Sequence, residues 1–451
     1  MPQRDFLGAV SERIVVFDGG MGATLEQFDL TQEDYGGLAG KCHEALVLNR
    51  PDVIEGVHRS MLDAGAEVVE TDTFQASRLK LEEWGLGEHT LEINTKAAEI
   101  ARAAAGEERF VAGSIGPTGY LPASDDPTLG GISFRELEEV FFEQATGLVQ
   151  GGSDLIIIET AQDILEVKAA IFGTRRAFGE TGRELPIQVS VSLLPNGGKM
   201  LLGTDISAVL TTLEALAVDV IGLNCSTGPE DMRDGIRYLG ENASVPVHCI
   251  PNAGIPEQGP NGETIFPEPP GPLADRLAEF VEKYGVGIVG GCCGTTPEHI
   301  REIADRVRDL RPVPRPAKGK PRVSSMMTST LLVQEPRPSL VGERVNSQGS
   351  RLAKELLLAD DYEAINSIAE DQVEGGAHLL DVCVALVERD DEAEQMREVV
   401  KRISLTQPSP IQIDSTEPEV IQAALEQIPG IGPMKLAAYG PQVLELVQQH
   451  G

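Results

Sequence analysis

The chain has 451 residues, enough for two or three domains, and 41% hydrophobic with 24% charged residues marks it as globular and core-forming. Its 37 Lys and Arg stand against 71 Asp and Glu, a formal net charge of −34 that disfavours nucleic acid and anionic membranes as partners. No run is long and apolar enough to span a bilayer, the first ten residues lack a signal-peptide core, and six cysteines are too few for a disulfide framework, so a reducing cytoplasm is the expected setting.

Eight short runs rich in β-branched residues come first. They are "RIVVFDG" from Arg13, "EVVETDTF" from Glu67, "RFVAGSIGP" from Arg109, "DLIIIET" from Asp154, "IQVSVSL" from Ile187, "DVIGLNCS" from Asp219, "VPVHCIPNA" from Val245 and "VGIVGGCCG" from Val286. Most are continuously apolar, as parallel strands covered on both faces are. Amphipathic segments lie between them. "PDVIEGVHRSMLDAGA" puts Val53, Val57 and Met61 on one helix face, and "SFRELEEVFFEQATGLVQGG" opens on a Ser133–Glu136 capping box. Eight strand–helix units over residues 1–310 predict a (β/α)8 TIM barrel in the α/β class.

Such barrels carry their chemistry at the C-terminal ends of the strands. Those ends hold Asp18, Glu70, Asp72, Ser114, Glu159, Cys225, Asn252, Cys292 and Cys293, while the strand bodies are Val and Ile. The adjacent pair Cys292 and Cys293 has three readings: a strained vicinal disulfide, buried filler, or two ligands of a metal. The metal reading needs a third ligand on a nearby strand end, and Cys225 in "GLNCSTGP" is suitably placed. Three thiolates would leave zinc electron-rich, suited to holding a substrate thiol as thiolate for attack on a methyl group. Cys42, His43, His58, Cys249 and His299 are read as structural.

Residues 311–338, "RPVPRPAKGKPRVSSMMTSTLLVQEPRP", are rich in Pro, Ser and basic residues and read as a linker. From 339 to 430 a second β/α pattern provides about three strands, "SLVGERVNS", "AHLLDVCVAL" and "SPIQIDST", an incomplete second barrel with open edges. The last stretch, 431–451, is read as a helical tail that resembles the closing piece of an HRDC domain, joined at "IPG".

The pieces "FDGGMGATLEQ", "VVETDTFQAS", "GSIGPTG", "IIIET", "GLNCSTGP", "PNAGIP" and "GGCCGTTPEHI" resemble, in order, the zinc-dependent homocysteine S-methyltransferase family. They look most like the homocysteine module of cobalamin-dependent methionine synthases. The resemblance implies that Cys225, Cys292 and Cys293 bind zinc. It further implies that Asp18 and Glu159 hold the homocysteine amino group, that Thr73 and Ser114 line the amino-acid pocket, and that Asn224 shapes the metal site. "GERVNSQGS", "GGAHLLDVCVAL" and "PIQIDST" resemble the start of the methyltetrahydrofolate-binding (pterin-binding) barrel of the same synthases, which places Glu343, Asn346, Asp381 and Asp414 on the pterin side. Cys383 departs from the Asn that many relatives carry, and a barrel of three strands predicts no tight folate binding.

The implied activity is transfer of a methyl group to homocysteine, giving methionine. Methylcobalamin is the favoured donor. The sequence contains no Asp-x-His-x-x-Gly motif, so a corrinoid module is expected to come from another chain or to be missing. Alternatives are direct transfer from S-methylmethionine or a betaine, and a truncated chain that binds zinc and homocysteine without turnover.

Overall fold

The computed structural model describes residues 4–427, apart from 39–41, 123–127, 129, 196, 260–263 and 318. The "IPG" join and the tail expected at 431–451 lie outside the described residues. Contacts divide the chain into two compact units, Met1–Leu202 with Leu213–Gly319, and Gly203–Thr212 with Lys320–Gly451.

In the first unit the predicted barrel is present. Its strands are Val15–Val16, Val68–Glu70, Phe110–Ile115, Leu155–Ala161, Ile187–Val191, Val220–Asn224, Val247–Ile250 and Ile288–Val289. All pair in parallel with their neighbours, the first with the eighth, and a Phe17–Val68 bridge closes the ring. The eighth strand ends at the glycine pair Gly290–Gly291, and the first is followed by the paired Phe17, then Asp18 and the glycine pair Gly19–Gly20.

Alternation along each strand sends every second side chain inward. Val15, Phe17, Val68, Phe110, Ala112, Leu155, Ile157, Val220, Ile250 and Ile288 form the interior cluster. The helix Phe6–Glu12, absent from the predicted elements, joins that cluster through Phe6. The Phe6 ring lies edge-on to Phe17 at 6.3 Å and to Phe110 at 5.5 Å.

The outer helices follow their sequence signals. Pro51–Ala64 buries Val53, Val57 and Met61 and ends at Gly65 in a left-handed conformation. Phe134–Gln150 starts at the expected box: Glu136 N–H donates to Ser133 Oγ at 3.2 Å, and Ser133 N–H donates to Glu136 Oε2 at 2.9 Å. No helix among the described residues is long and apolar enough to cross a membrane.

The second unit contains a three-stranded parallel sheet of Val341–Asn346, Leu379–Cys383 and Ile411–Ile413, in that order. The helices Arg351–Leu358, Tyr362–Glu374, Glu392–Thr406 and Pro418–Gln427 accompany it. Ile365, Leu380, Val382, Val399 and Ile403 are central to its core. The stretch read as a linker is not bare chain. It includes an antiparallel hairpin, Arg322–Ser324 with Ser329–Leu331, tied to the segment around Asp205, where Asp205 N–H donates to the Met327 carbonyl at 2.8 Å and Thr328 Oγ1 donates to Asp205 Oδ2 at 2.6 Å. The β-branched Val323 and Thr330 support the strands and Thr328 lies in the turn between them, a signal masked by flanking Pro and basic residues.

Candidate metal centre and amino-acid pocket

Cys225 follows the sixth strand and Cys292 and Cys293 follow the eighth; the seventh strand lies between them and sets the spacing. Cys225 N–H donates to the Ile250 carbonyl at 3.2 Å, Cys292 N–H to the Pro251 carbonyl at 2.8 Å, and Cys293 N–H to Asn252 Oδ1 at 3.1 Å. The backbone bends sharply here. Cys225 and Ser226 have φ of 58° and 60°, unusual for residues with side chains and a sign that the surroundings hold them there. Gly294, with φ of 77°, turns the chain after the cysteine pair, and a side chain there would strike the Phe266 ring. Gly20 is needed for another reason: a Cβ would lie 2.7 Å from the Cys292 carbonyl oxygen.

The three sulfurs lie within 4.8 Å of one another. Cys225 Sγ is 3.8 Å from Cys293 Sγ, and Cys292 Sγ is 4.0 Å from Cys293 Sγ. A disulfide requires about 2.05 Å, so the vicinal-disulfide reading does not describe this arrangement. Three thiolates about 2.3 Å from a tetrahedral ion would be about 3.8 Å apart, close to the 3.8 and 4.0 Å that separate Cys293 Sγ from the other two. Cys225 and Cys292 are partly exposed and Cys293 is exposed, so the trio is not core filler. Hydrogen bonds from Cys292 and Cys293 pull the Cys225 thiol down to about 3, and the same interaction pushes Cys293 up to about 12. A thiolate is thus favoured at Cys225, and thiolate is the form a metal binds.

Beside the sulfurs is a group of carboxylates, two buried and one half-buried. Asp18 is 5% exposed and Glu159 6%. Asp18 Oδ2 accepts from Glu70 N–H at 3.1 Å, and Ser114 Oγ donates to Glu159 Oε1 at 2.5 Å. Burial raises all three carboxyls, Glu159 to about 7, and mutual repulsion raises Asp18 and Glu70 further. No ion pair among the described residues involves any of them. Two buried carboxyls and the half-buried Glu70, with no cation paired to them, are suited to receive an ammonium group.

Asn224 connects the two groups. Its Nδ2 donates to Glu159 Oε2 at 2.9 Å and lies 4.0 Å from Cys292 Sγ, and its Oδ1 accepts from Thr160 N–H at 2.8 Å. Thr73 is fully buried, and its hydroxyl donates to the Ser114 carbonyl at 2.7 Å, bracing the end of the third strand.

Glu70, expected only as a strand end, lies with Asp18 and Glu159; its position two residues after inward-facing Val68 carries the signal. Thr295, not among the expected site residues, braces the turn of the cysteine pair: its hydroxyl accepts from Gly20 N–H at 3.0 Å and donates to the Cys292 carbonyl at 2.6 Å. Cys42, His58, Cys249 and His299 are buried, and His299 caps its own helix by accepting from Thr296 N–H at 3.2 Å.

In the second unit Asn346, Asp381 and Asp414 come together. Asn346 Nδ2 donates to Asp381 Oδ2 at 2.7 Å and to Asp414 Oδ2 at 3.1 Å, and Gln412 Nε2 donates to Asp381 Oδ1 at 3.1 Å. Glu343 is exposed on the edge strand, and Cys383 is buried beside Ser347.

Comparison with known proteins bears on both units. Residues 15–307 match the family model for homocysteine S-methyltransferase, and residues 342–450 match that for pterin binding enzyme. The chain is 40% identical over 462 residues to a methionine synthase of Mycobacterium tuberculosis and 40% identical over 467 residues to one of Mycobacterium leprae. Each alignment covers 99% of this chain but only 38% of the relative, so the chain spans little more than a third of their length. Among solved structures, the metallated form of the homocysteine methyltransferase MmuM from Escherichia coli is 25% identical. It has a TM-score of 0.52 over 65% of this chain and 96% of that one. The oxidised form, at 24% identity and a TM-score of 0.51, covers the same shares and shows the same fold. With the family model spanning the whole barrel, the chain belongs to the homocysteine S-methyltransferase family.

Proposed function

We propose that the barrel, residues 1–310, makes methionine by methyl transfer to homocysteine, with Cys225, Cys292 and Cys293 as zinc ligands. The observation that carries this reading is the pairing of three thiols at metal-ligand spacing with an unpaired carboxylate cluster one amide away. Homocysteine has a thiol and an ammonium group, and the two halves of the site match them. Zinc, when bound, would keep the substrate sulfur as thiolate at neutral pH.

The chain's own residues do the rest. Asp18, Glu70 and Glu159 bind the ammonium group, whose charge favours their ionised forms. Ser114 and Asn224 each hold one oxygen of Glu159 and so orient it. The thiol proton leaves to solvent, the sulfur attacks the methyl carbon, and the bond from methyl to donor breaks with its electron pair on the donor.

The favoured donor is methylcobalamin carried on another module. This rests on the resemblance to methionine synthases and on the pterin-binding match that follows the barrel. Residues 339–430 would then supply part of a pterin site through Asn346, Asp381 and Asp414. The test is methionine formation by zinc-loaded chain with free methylcobalamin and, separately, with S-methylmethionine. Activity with methylcobalamin is expected. Activity with S-methylmethionine alone would replace the donor, and activity with neither would leave a chain that binds without turnover.

A further inference from the structure

One sector of the barrel interior is polar. Gln188 and Ser190 on the fifth strand and His248 on the seventh are each 0% exposed. Register fixes where they face. Gln188 is paired with Val220 and His248 with Ile288, and both partners belong to the interior cluster. Ser190, two residues beyond Gln188, shares its face and is paired with Gly222, whose other neighbour is His248. A Cβ on Gly222 would lie 2.5 Å from His248 Cγ and 2.6 Å from its Nδ1. The imidazole therefore occupies the room that this glycine leaves on the inner face.

Five polar atoms on these side chains have no hydrogen-bond partner among the described residues: Gln188 Nε2 and Oε1, Ser190 Oγ, and His248 Nδ1 and Nε2. Isolated buried polar atoms are rare and costly, and a group of them on one interior wall is what an internal ligand would satisfy. The chemistry of the set narrows that ligand. Burial keeps His248 neutral, with its pKa pulled down to about 3, so all three side chains are uncharged. Each offers both a donor and an acceptor. An inorganic cation would find no carboxylate in this set, and an anion no cation. Water, which donates two hydrogen bonds and accepts two, matches it.

We infer that Gln188, Ser190 and His248 bind ordered water inside the barrel, on the polar face that leads up to Asn224. That face continues to Ser192, whose hydroxyl donates to the Asn224 carbonyl at 2.8 Å. The hydrated sector would thus form part of the floor beneath the residue that joins the thiol and carboxylate groups.

A crystal structure of the full chain at a resolution that reveals ordered water tests this directly. Water within hydrogen-bond distance of His248 and of Gln188 or Ser190 is the expected result. Direct hydrogen bonds among the three side chains with no water density, or density and contacts of a metal ion, would overturn the inference. In solution, oxygen-17 relaxation dispersion counts long-lived internal waters. The double variant Gln188→Leu with Ser190→Ala is expected to lose at least one relative to the parent, and an unchanged count in a folded double variant would also overturn it.

Discussion

Asn224 and Glu159 are joined by a 2.9 Å hydrogen bond from amide to carboxylate, and the same amide nitrogen lies 4.0 Å from Cys292 Sγ. One side chain on the sixth strand therefore places the carboxylate proposed to bind the ammonium group relative to the sulfurs proposed to hold zinc. Asn224→Ala would remove that link while leaving the three cysteines in place. It is expected to weaken homocysteine binding by roughly 10- to 100-fold, the cost typical of losing a hydrogen bond to a charged group, with zinc content retained. Calorimetric titration with homocysteine and metal analysis on the same sample check both halves. Unchanged affinity would remove Asn224 from the positioning role.

Cys225→Ala is expected to cost more. Removing one of three thiolates should lower zinc affinity beyond the ~100-fold typical of an outer partner, and the protein should purify without zinc. Zinc retained at full stoichiometry in this variant would take Cys225 out of the site.

Gly294 and Gly85 both have left-handed backbone, with φ of 77° and 71°, but their surroundings differ. A Cβ at Gly85 meets nothing within 4 Å, whereas at Gly294 it collides with Phe266 next to the cysteine pair. Gly85→Ala should cost only the conformational penalty of about 1–2 kcal/mol and leave zinc affinity unchanged. Gly294→Ala should destabilise more and also weaken zinc binding. Thermal melts with and without zinc separate the two, and equal effects would contradict the account of the turn.

Glu166 provides a pH dependence away from the sulfurs. Thr118 donates to its Oε1 from both N–H, at 2.8 Å, and Oγ1, at 2.5 Å, yet burial raises the carboxyl from its ordinary 4.5 to about 7. Between those values the folded chain binds a proton that the unfolded chain has released, so this group's contribution to stability falls as pH rises through that window and levels off above it. Glu166→Gln keeps the acceptor oxygen and removes the charge. The melting temperature of the variant relative to the parent should therefore rise from pH 4.5 to pH 8. A difference that does not change with pH would contradict the assignment.

Most of the barrel was legible because its strands are buried on both faces and so appear as unbroken Val and Ile runs ending in polar residues. The cysteine trio was legible once Cys225 and the Cys292–Cys293 pair were placed on strand ends separated by one strand. The sequence showed less where side chains break the pattern. Glu70 is an interior residue only by alternation from Val68. Gln188 and Ser190 alternate with apolar residues in "IQVSVSL", a pattern that suggests polar side chains facing solvent rather than the barrel interior, and His248 is a single polar residue in its run. The hairpin at Arg322–Leu331 was obscured by Pro and basic neighbours, since composition there outweighed three β-branched residues.

The central claim is that three cysteine thiolates hold zinc with a position left for the substrate's sulfur. X-ray absorption at the zinc edge, measured with and without homocysteine, tests it most directly. The account predicts three sulfur neighbours at about 2.3 Å without substrate and four with it. A sulfur count that does not change on adding saturating homocysteine would contradict it.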